Sequence, residues 1–210
     1  MIRLLIATEN VGKIREMQAL LTGLDVELVS PKSIGIDLKV VEDGATYAEN
    51  AGKKALAYAR ASGLISIADD SGLEVDALDG APGLYSARYS PQPNATDADR
   101  LAYLLQNLQG KPRPWKAHYH ATIAIAIPYG HDIVPGGYAA DGAVQFADGD
   151  CHGEIIPEQR GSNGFGYDPV FFIPALNRTM AELSMDEKNR LSHRALAIQN
   201  AKPVLSQLIG

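Results

Sequence analysis

An apolar run from Ile2 to Ala7 meets a polar turn at once, and beyond it Ile14, Met17, Leu20 and Leu21 recur at helical spacing through Val11 to Leu21. Strand, polar turn and helix in immediate succession constrain the chain more than any other feature, because they commit its opening unit to a layered α/β architecture. The theme continues. A second strand is expected near Val26 to Val29, followed by a loop containing Pro, Ser and Gly through Gly35. Thr46 with Glu49 forms the pattern of a capping box, Ala51, Ala55 and Tyr58 continue along one helical face, and Gly63 marks the end. Leu64 to Ala68 then reads as a strand expected to stop at Asp69-Asp70-Ser71-Gly72.

In the second half, Thr96 and Asp99 cap a helix to about Leu108. The alternation of Tyr119, Ala121, Ile123, Ile125 and Ile127 predicts a long strand from Ala117 to Ile127, antiparallel to a neighbour around Ala139 to Phe146 in a protruding hairpin. A glycine-rich turn from Gly161 to Tyr167 precedes a strand-like Pro169 to Ile173. The tail from Ser184 to Ile209 is helical, with Ser184 and Glu187 as its cap and Pro203 as a kink. With 46% hydrophobic residues in 210, the chain is long enough for one sizeable core, so a single mixed α/β domain over 1–210, divisible into two lobes, is expected.

The net charge of −6 argues against broad electrostatic attraction to nucleic acid or an acidic membrane surface, so a polyanionic ligand must meet a local basic site. Cys151 is the sole cysteine, which rules out an intrachain disulfide and a cysteine-rich zinc knuckle. A reducing, cytoplasmic setting fits. The apolar run at the N-terminus is too short for a signal peptide core or a membrane span.

Four segments carry candidate chemistry. Thr8-Glu9-Asn10-Val11-Gly12-Lys13 places a polar turn at a helix N-terminus, where backbone amides suit phosphate and Asn10 suits the N-cap. The macrodipole disfavours Lys13 in a first helical turn, which an anionic ligand there would explain; an ordinary capped helix with a solvated lysine is the alternative. Asp69-Asp70-Ser71-Gly72, with Glu42 as a further carboxylate, suits a hard divalent cation and a positioned water, or else a solvated turn. In Gly161 to Pro169, aromatics interleaved with glycines suit a rigid loop that offers a ring to a flat ligand, or else Phe165 and Tyr167 are core anchors. Lys188 with Ser192-His193-Arg194 supplies donors for phosphate and base carbonyls, or a charged helix face. His118 and His120 share a strand face without further ligands at metal spacing, and read as sheet residues.

Taken together, the strings T-E-N-V-G-K at 8–13, E-D-G-A-T-Y-A-E-N-A at 42–51, A-D-D-S-G-L-E-V-D-A-L-D-G-A-P-G at 68–83, S-A-R-Y at 86–89, G-F-G-Y-D-P at 164–169 and E-K-N-R-L-S-H-R at 187–194 resemble the inosine triphosphate pyrophosphatase family, nearly end to end and in order. The resemblance implies an elongated mixed β-sheet flanked by helices, two lobes with a substrate cleft between them, and a homodimer. It implies Mg2+-dependent hydrolysis of ITP, dITP and XTP to the monophosphate and pyrophosphate, in the cytoplasm, with no stable nucleic-acid partner and no membrane. It carries substrate binding to the turn 8–13, to Lys54 and Ser71, to the base loop Phe165, Gly166, Tyr167 and Asp168, and to Lys188, His193 and Arg194. Metal binding falls to Glu42 and Asp70, with Asp70 also the water-activating base. Glu9 departs from the small residue that many relatives have there. A related Maf-type enzyme for other nucleotides and a purine sensor without turnover are the competing readings; the SHR and G-F-G-Y-D-P strings favour the purine enzyme.

Overall fold

The computed structural model describes residues 2–128 and 143–209. Seven strands hydrogen-bond in the order β2-β1-β3-β4-β5-β6-β7, comprising β1 Ile2–Ile6, β2 Val26–Val29, β3 Ile65–Val75, β4 Trp115–Ala126, β5 Val144–Ile155, β6 Phe171–Ile173 and β7 Arg178–Thr179. β1 runs parallel to β2, opposing Ile2 to Val26, and parallel to β3, opposing Leu4 to Ile65. β6 is antiparallel to both β5 and β7, so the sheet is mixed, as expected. Five α-helices accompany it among the described residues: α1 Val11–Leu20, α2 Tyr47–Ser62, α3 Asp97–Leu108, α4 Met185–Leu191 and α5 His193–Ile209.

The chain divides into two compact units, one of Met1–Asp70, Ala121–Gly149 and Leu196–Gly210, the other of Ser71–His120 and Asp150–Ala195. In the first, Ala51, Ala55, Tyr58 and Ala59 of α2 pack on Leu5, Ala68, Ala124 and Ala126. The alanines on both sides let helix and sheet approach closely, which favours dispersion contacts over bulk. Thr46 caps α2 by accepting from the Glu49 N–H at 3.1 Å. The Glu49 carboxylate turns instead to the Ala45 N–H at 2.7 Å, so the expected capping box is only half formed. Gly63 ends the helix at φ +67°, a left-handed conformation that costs glycine little.

In the second unit, Leu101, Leu104 and Leu108 of α3 pack with Leu73, Val75, Trp115, Tyr119 and Phe171. The α3 capping box of Thr96 and Asp99 forms in full. Three expectations need correction. β3 does not stop at the acidic pair but continues through it to Val75, with Leu73 and Val75 buried. The C-terminal helix is broken at Ser192, whose backbone is extended and whose Oγ accepts from the Ala195 N–H at 3.2 Å, so a second N-cap starts α5. The strand expected around Ala139 to Phe146 is described from Val144 onward and extends to Ile155; its earlier residues and the hairpin tip, 129–142, lie outside the described residues.

Candidate functional site

The first unit gathers the charged groups of the N-terminal half. Asn10 is the N-cap of α1, its Oδ1 accepting from the Lys13 N–H at 3.0 Å, while Thr8 Oγ1 accepts from the Asn10 N–H at 3.2 Å. Val11 and Gly12 form the first turn, where helix amides are directed away from the helix body. Glu9 is exposed, and its charge, after burial, helps raise the Tyr58 hydroxyl above its ordinary pKa. Lys13 has a protein counter-ion, because its Nζ lies 2.6 Å from Asp69 Oδ2. An anionic ligand is therefore not needed to explain a cation in that turn.

Lys54, reaching in from α2, joins three acceptors. Its Nζ donates to Glu42 Oε2 at 2.9 Å and to the Asp69 carbonyl at 2.8 Å, and lies 3.8 Å from Asp70 Oδ1. Glu42 and Asp70, far apart in sequence, thus converge on one ammonium. Burial raises the Asp70 carboxyl above the usual range, against the opposing charges of Lys54 and Lys13 and a hydrogen bond from the Asn50 side chain. Asn50 Oδ1 accepts from the Gly44 N–H at 2.8 Å, which pins the Glu42 loop to α2.

The second unit gathers the remainder around Asp168, which is 4% exposed. Its Oδ2 accepts from Lys188 Nζ at 2.7 Å and from the Phe165 N–H at 3.1 Å, and its Oδ1 accepts from the Tyr119 hydroxyl at 3.2 Å. Lys188 Nζ also sits 5.1 Å from the centroid of the Phe165 ring, a cation–π contact. Gly164, at φ +78°, makes the carboxylate's approach possible: a Cβ there would lie 2.0 Å from Asp168 Oδ2. The Gly166 N–H donates to Asp97 Oδ2 at 2.8 Å, fastening the loop to the start of α3. His193 and Arg194 occupy the first turn of α5. The His193 ring stacks on Tyr119 at 4.6 Å, and Arg194, 1% exposed, donates from Nη2 to Ser71 Oγ at 3.1 Å.

Of the two loop aromatics, Tyr167 is a core anchor: it is buried among the apolar residues, and its hydroxyl donates to the Ser86 carbonyl at 2.8 Å. Phe165 is only partly buried. Burial pushes the Cys151 thiol up to about 12, so it is no nucleophile at neutral pH. Sequence reasoning did not assign Asn50, Asp97 or Tyr119 to the site, and it read Asp69 with Asp70 as a carboxylate for a cation, where the structure gives it the Lys13 ammonium. Asn50 had a usable signal, since it precedes Lys54 by one helical turn on the same face of α2. Tyr119 had none, because strand alternation identifies it only as inward-facing.

Residues 4–204 match the Ham1 family. The chain belongs to the Ham1 family. Curated relatives include the "dITP/XTP pyrophosphatase" of Desulforamulus reducens, 43% identical over 98% of this chain and 96% of the relative. That of Geobacter sulfurreducens, with the same name, is 45% identical over 94% of each. Among solved structures, a HAM1 protein from Coxiella burnetii superposes with a TM-score of 0.84 at 38% identity, covering 99% of this chain and 100% of that one. At this identity and coverage the Ham1 likeness extends through both units.

Proposed function

We propose that this chain hydrolyses non-canonical purine nucleoside triphosphates, namely ITP, dITP and XTP, to the nucleoside monophosphate and pyrophosphate, and so cleans the nucleotide pool. The observation that carries the reading is the convergence of Glu42 and Asp70 on Lys54, in a chain whose relatives are named dITP/XTP pyrophosphatases. Two carboxylates drawn to one ammonium, one of them with its acidity weakened by burial, suit phosphoryl chemistry better than a structural ion pair.

The metal expectation fits this donor set. No group of three or more His, Cys, Asp or Glu side chains suited to a metal occurs among the described residues. Mg2+, however, is ordinarily held by one or two carboxylates together with substrate phosphates and water, which is what Glu42 and Asp70 would offer. Bound there, Mg2+ would supply positive charge to the phosphate oxygens.

The protein's own groups account for the remaining steps. Asp70 takes the proton of the attacking water as it adds to the α-phosphorus, and its raised pKa makes it a better proton acceptor than an ordinary aspartate. Lys13, Lys54 and the first-turn amides of α1, with Thr8, Asn10, Val11 and Gly12, bind the phosphates and offset the charge that develops on the leaving pyrophosphate. Glu9 adds a carboxylate at the rim of this turn. In the second unit, Phe165 stacks on the purine, its loop held by Asp168, by the Gly166 N–H on Asp97 and by the Tyr167 hydroxyl on Ser86, while Ser71 accepts from Arg194. Lys188, His193 and Arg194 donate to base carbonyls. A 6-keto purine accepts these bonds, whereas the adenine amino group would set donor against donor.

Catalysis by a homodimer in the cytoplasm, without a nucleic-acid or membrane partner, completes the reading. No helix among the described residues is long and apolar enough to cross a membrane. The decisive assay is pyrophosphate release from ITP, XTP, dITP, GTP and ATP with and without Mg2+, by the unmodified protein and Asp70→Asn. Metal-dependent release from the first three, lost in the variant, is the expected result. No release from any of them defeats the proposal.

A further inference from the structure

Phe165 stands between Gly164 and Gly166, both at positive φ. Neither glycine has a Cβ to restrict its backbone, so the chain on either side of Phe165 is held by hydrogen bonds more than by sterics. Two planar peptides flank the Phe165 Cα, and together they set the direction of its ring. Each gives its N–H to a carboxylate. The peptide before Phe165 donates through the Phe165 N–H to Asp168 Oδ2 at 3.1 Å, a bond within the loop. Lys188 fixes this same side, because its Nζ bonds Asp168 and lies 5.1 Å from the ring centroid. The peptide after Phe165 donates through the Gly166 N–H to Asp97 Oδ2 at 2.8 Å, across 69 residues of sequence, at the first residue of α3. Asp97 is itself aimed: Arg100 donates from Nη2 to its Oδ1 and from Nη1 to the Ala95 carbonyl at 2.6 Å, which turns Oδ2 toward the loop.

We infer that Asp97 is a positioning residue for the substrate base, acting through the Gly166 N–H to fix the peptide that follows Phe165 and with it the direction of the ring. The inference rests on the reading of Phe165 as the stacking residue and deepens it. Asp97 orders the loop before substrate arrives, so its loss is felt in binding, where the base must then order the loop itself, and not in the chemical step. The Asp97 side chain is 49% exposed, so its truncation leaves the core intact.

The test is Asp97→Ala. Hydrogen exchange at the Gly166 N–H, followed by NMR in the free protein, is expected to quicken about tenfold, the scale of one lost hydrogen bond. KM for ITP should rise by about the same factor, with kcat nearly unchanged. Asp99→Ala is the comparison, since Asp99 completes the capping box of the same helix with Thr96; it should weaken the start of α3 and leave KM where it was. An equal rise of KM in both variants would assign the effect to the helix start and overturn the inference. On a Phe165→Ala background, where the ring is gone, Asp97→Ala should add nothing to KM, and a full additional rise there also overturns it. Unchanged exchange at Gly166 in Asp97→Ala overturns the inference alone. A Phe165→Ala variant with unaltered KM for ITP, or an unmodified protein that does not cleave ITP, overturns the reading beneath it and the inference with it.

Discussion

Lys13 Nζ and Asp69 Oδ2 meet at 2.6 Å across 56 residues of sequence, and the Asp69 side chain is wholly shielded from solvent while that of Lys13 retains 16% exposure. A buried carboxylate of this kind is tolerable only because its partner is in place. Lys13→Met should therefore destabilise the fold by about 3 kcal/mol, the scale for stranding one member of a buried pair. Adding Asp69→Asn should recover much of that loss, since the uncompensated charge is then gone. Urea denaturation of the single and double variants measures both quantities, and a double variant no more stable than Lys13→Met would show that the pair is not what holds this corner.

Asp70 trades stability for chemistry. Its folded carboxyl binds a proton more tightly than the unfolded chain, because burial raises it above 3.8. The stability linked to this group is thus full below the unfolded value and lost as pH rises through the folded one. At neutral pH the buried charge is a net cost, so Asp70→Asn should be more stable than the unmodified protein. The advantage should shrink as pH is lowered and vanish where both states are protonated. Turnover of ITP should fall by roughly a hundredfold or more in the same variant. A stability difference independent of pH would disprove the electrostatic origin.

Lys54 moderates that cost. After burial, its charge is the largest influence on Asp70 and acts in the opposite sense. Lys54→Met should raise the Asp70 pKa further, moving the acid limb of the kcat/KM profile for ITP to higher pH as well as lowering its plateau. An acid limb that keeps its position while the plateau drops would mean that Lys54 serves phosphate binding alone and that the limb belongs to another group.

The elements were legible in the sequence wherever a local pattern decides them. β2 and the N-cap of α1 follow the apolar periods and capping residues directly. The continuation of β3 through Asp69 and Asp70 was not legible, because adjacent carboxylates argue locally for solvent. What overrides that argument is Lys13 and Lys54, which lie 56 and 15 residues away from Asp69 and which only the folded sheet brings to it. The break at Ser192 was hidden for a related reason. A serine inside a helical pattern reads as a tolerated polar residue until its Oγ is seen to cap the Ala195 N–H, and that cap is what puts His193 and Arg194 in a first turn. The chemistry-bearing residue types were visible in the strings themselves, whereas the residues that aim them, Asn50, Asp97 and Tyr119, carry ordinary sequence signals and gain their roles through contacts.

Gly164 and Gly166 separate two demands placed on the base loop. Both have positive φ, +78° and +62°, but a Cβ at 164 would press on Asp168 Oδ2 at 2.0 Å while one at 166 would meet nothing within 4 Å. Gly166→Ala should therefore incur only backbone strain, about 1 kcal/mol, with KM for ITP nearly unchanged. Gly164→Ala adds displacement of the carboxylate that Lys188, Tyr119 and the Phe165 N–H surround, and should raise KM for ITP about tenfold or more, since small misplacements of binding groups are costly. Because both variants carry similar strain, the difference in KM between them isolates the position of Asp168. Equal KM values would mean that the Asp168 carboxylate has no part in placing the base.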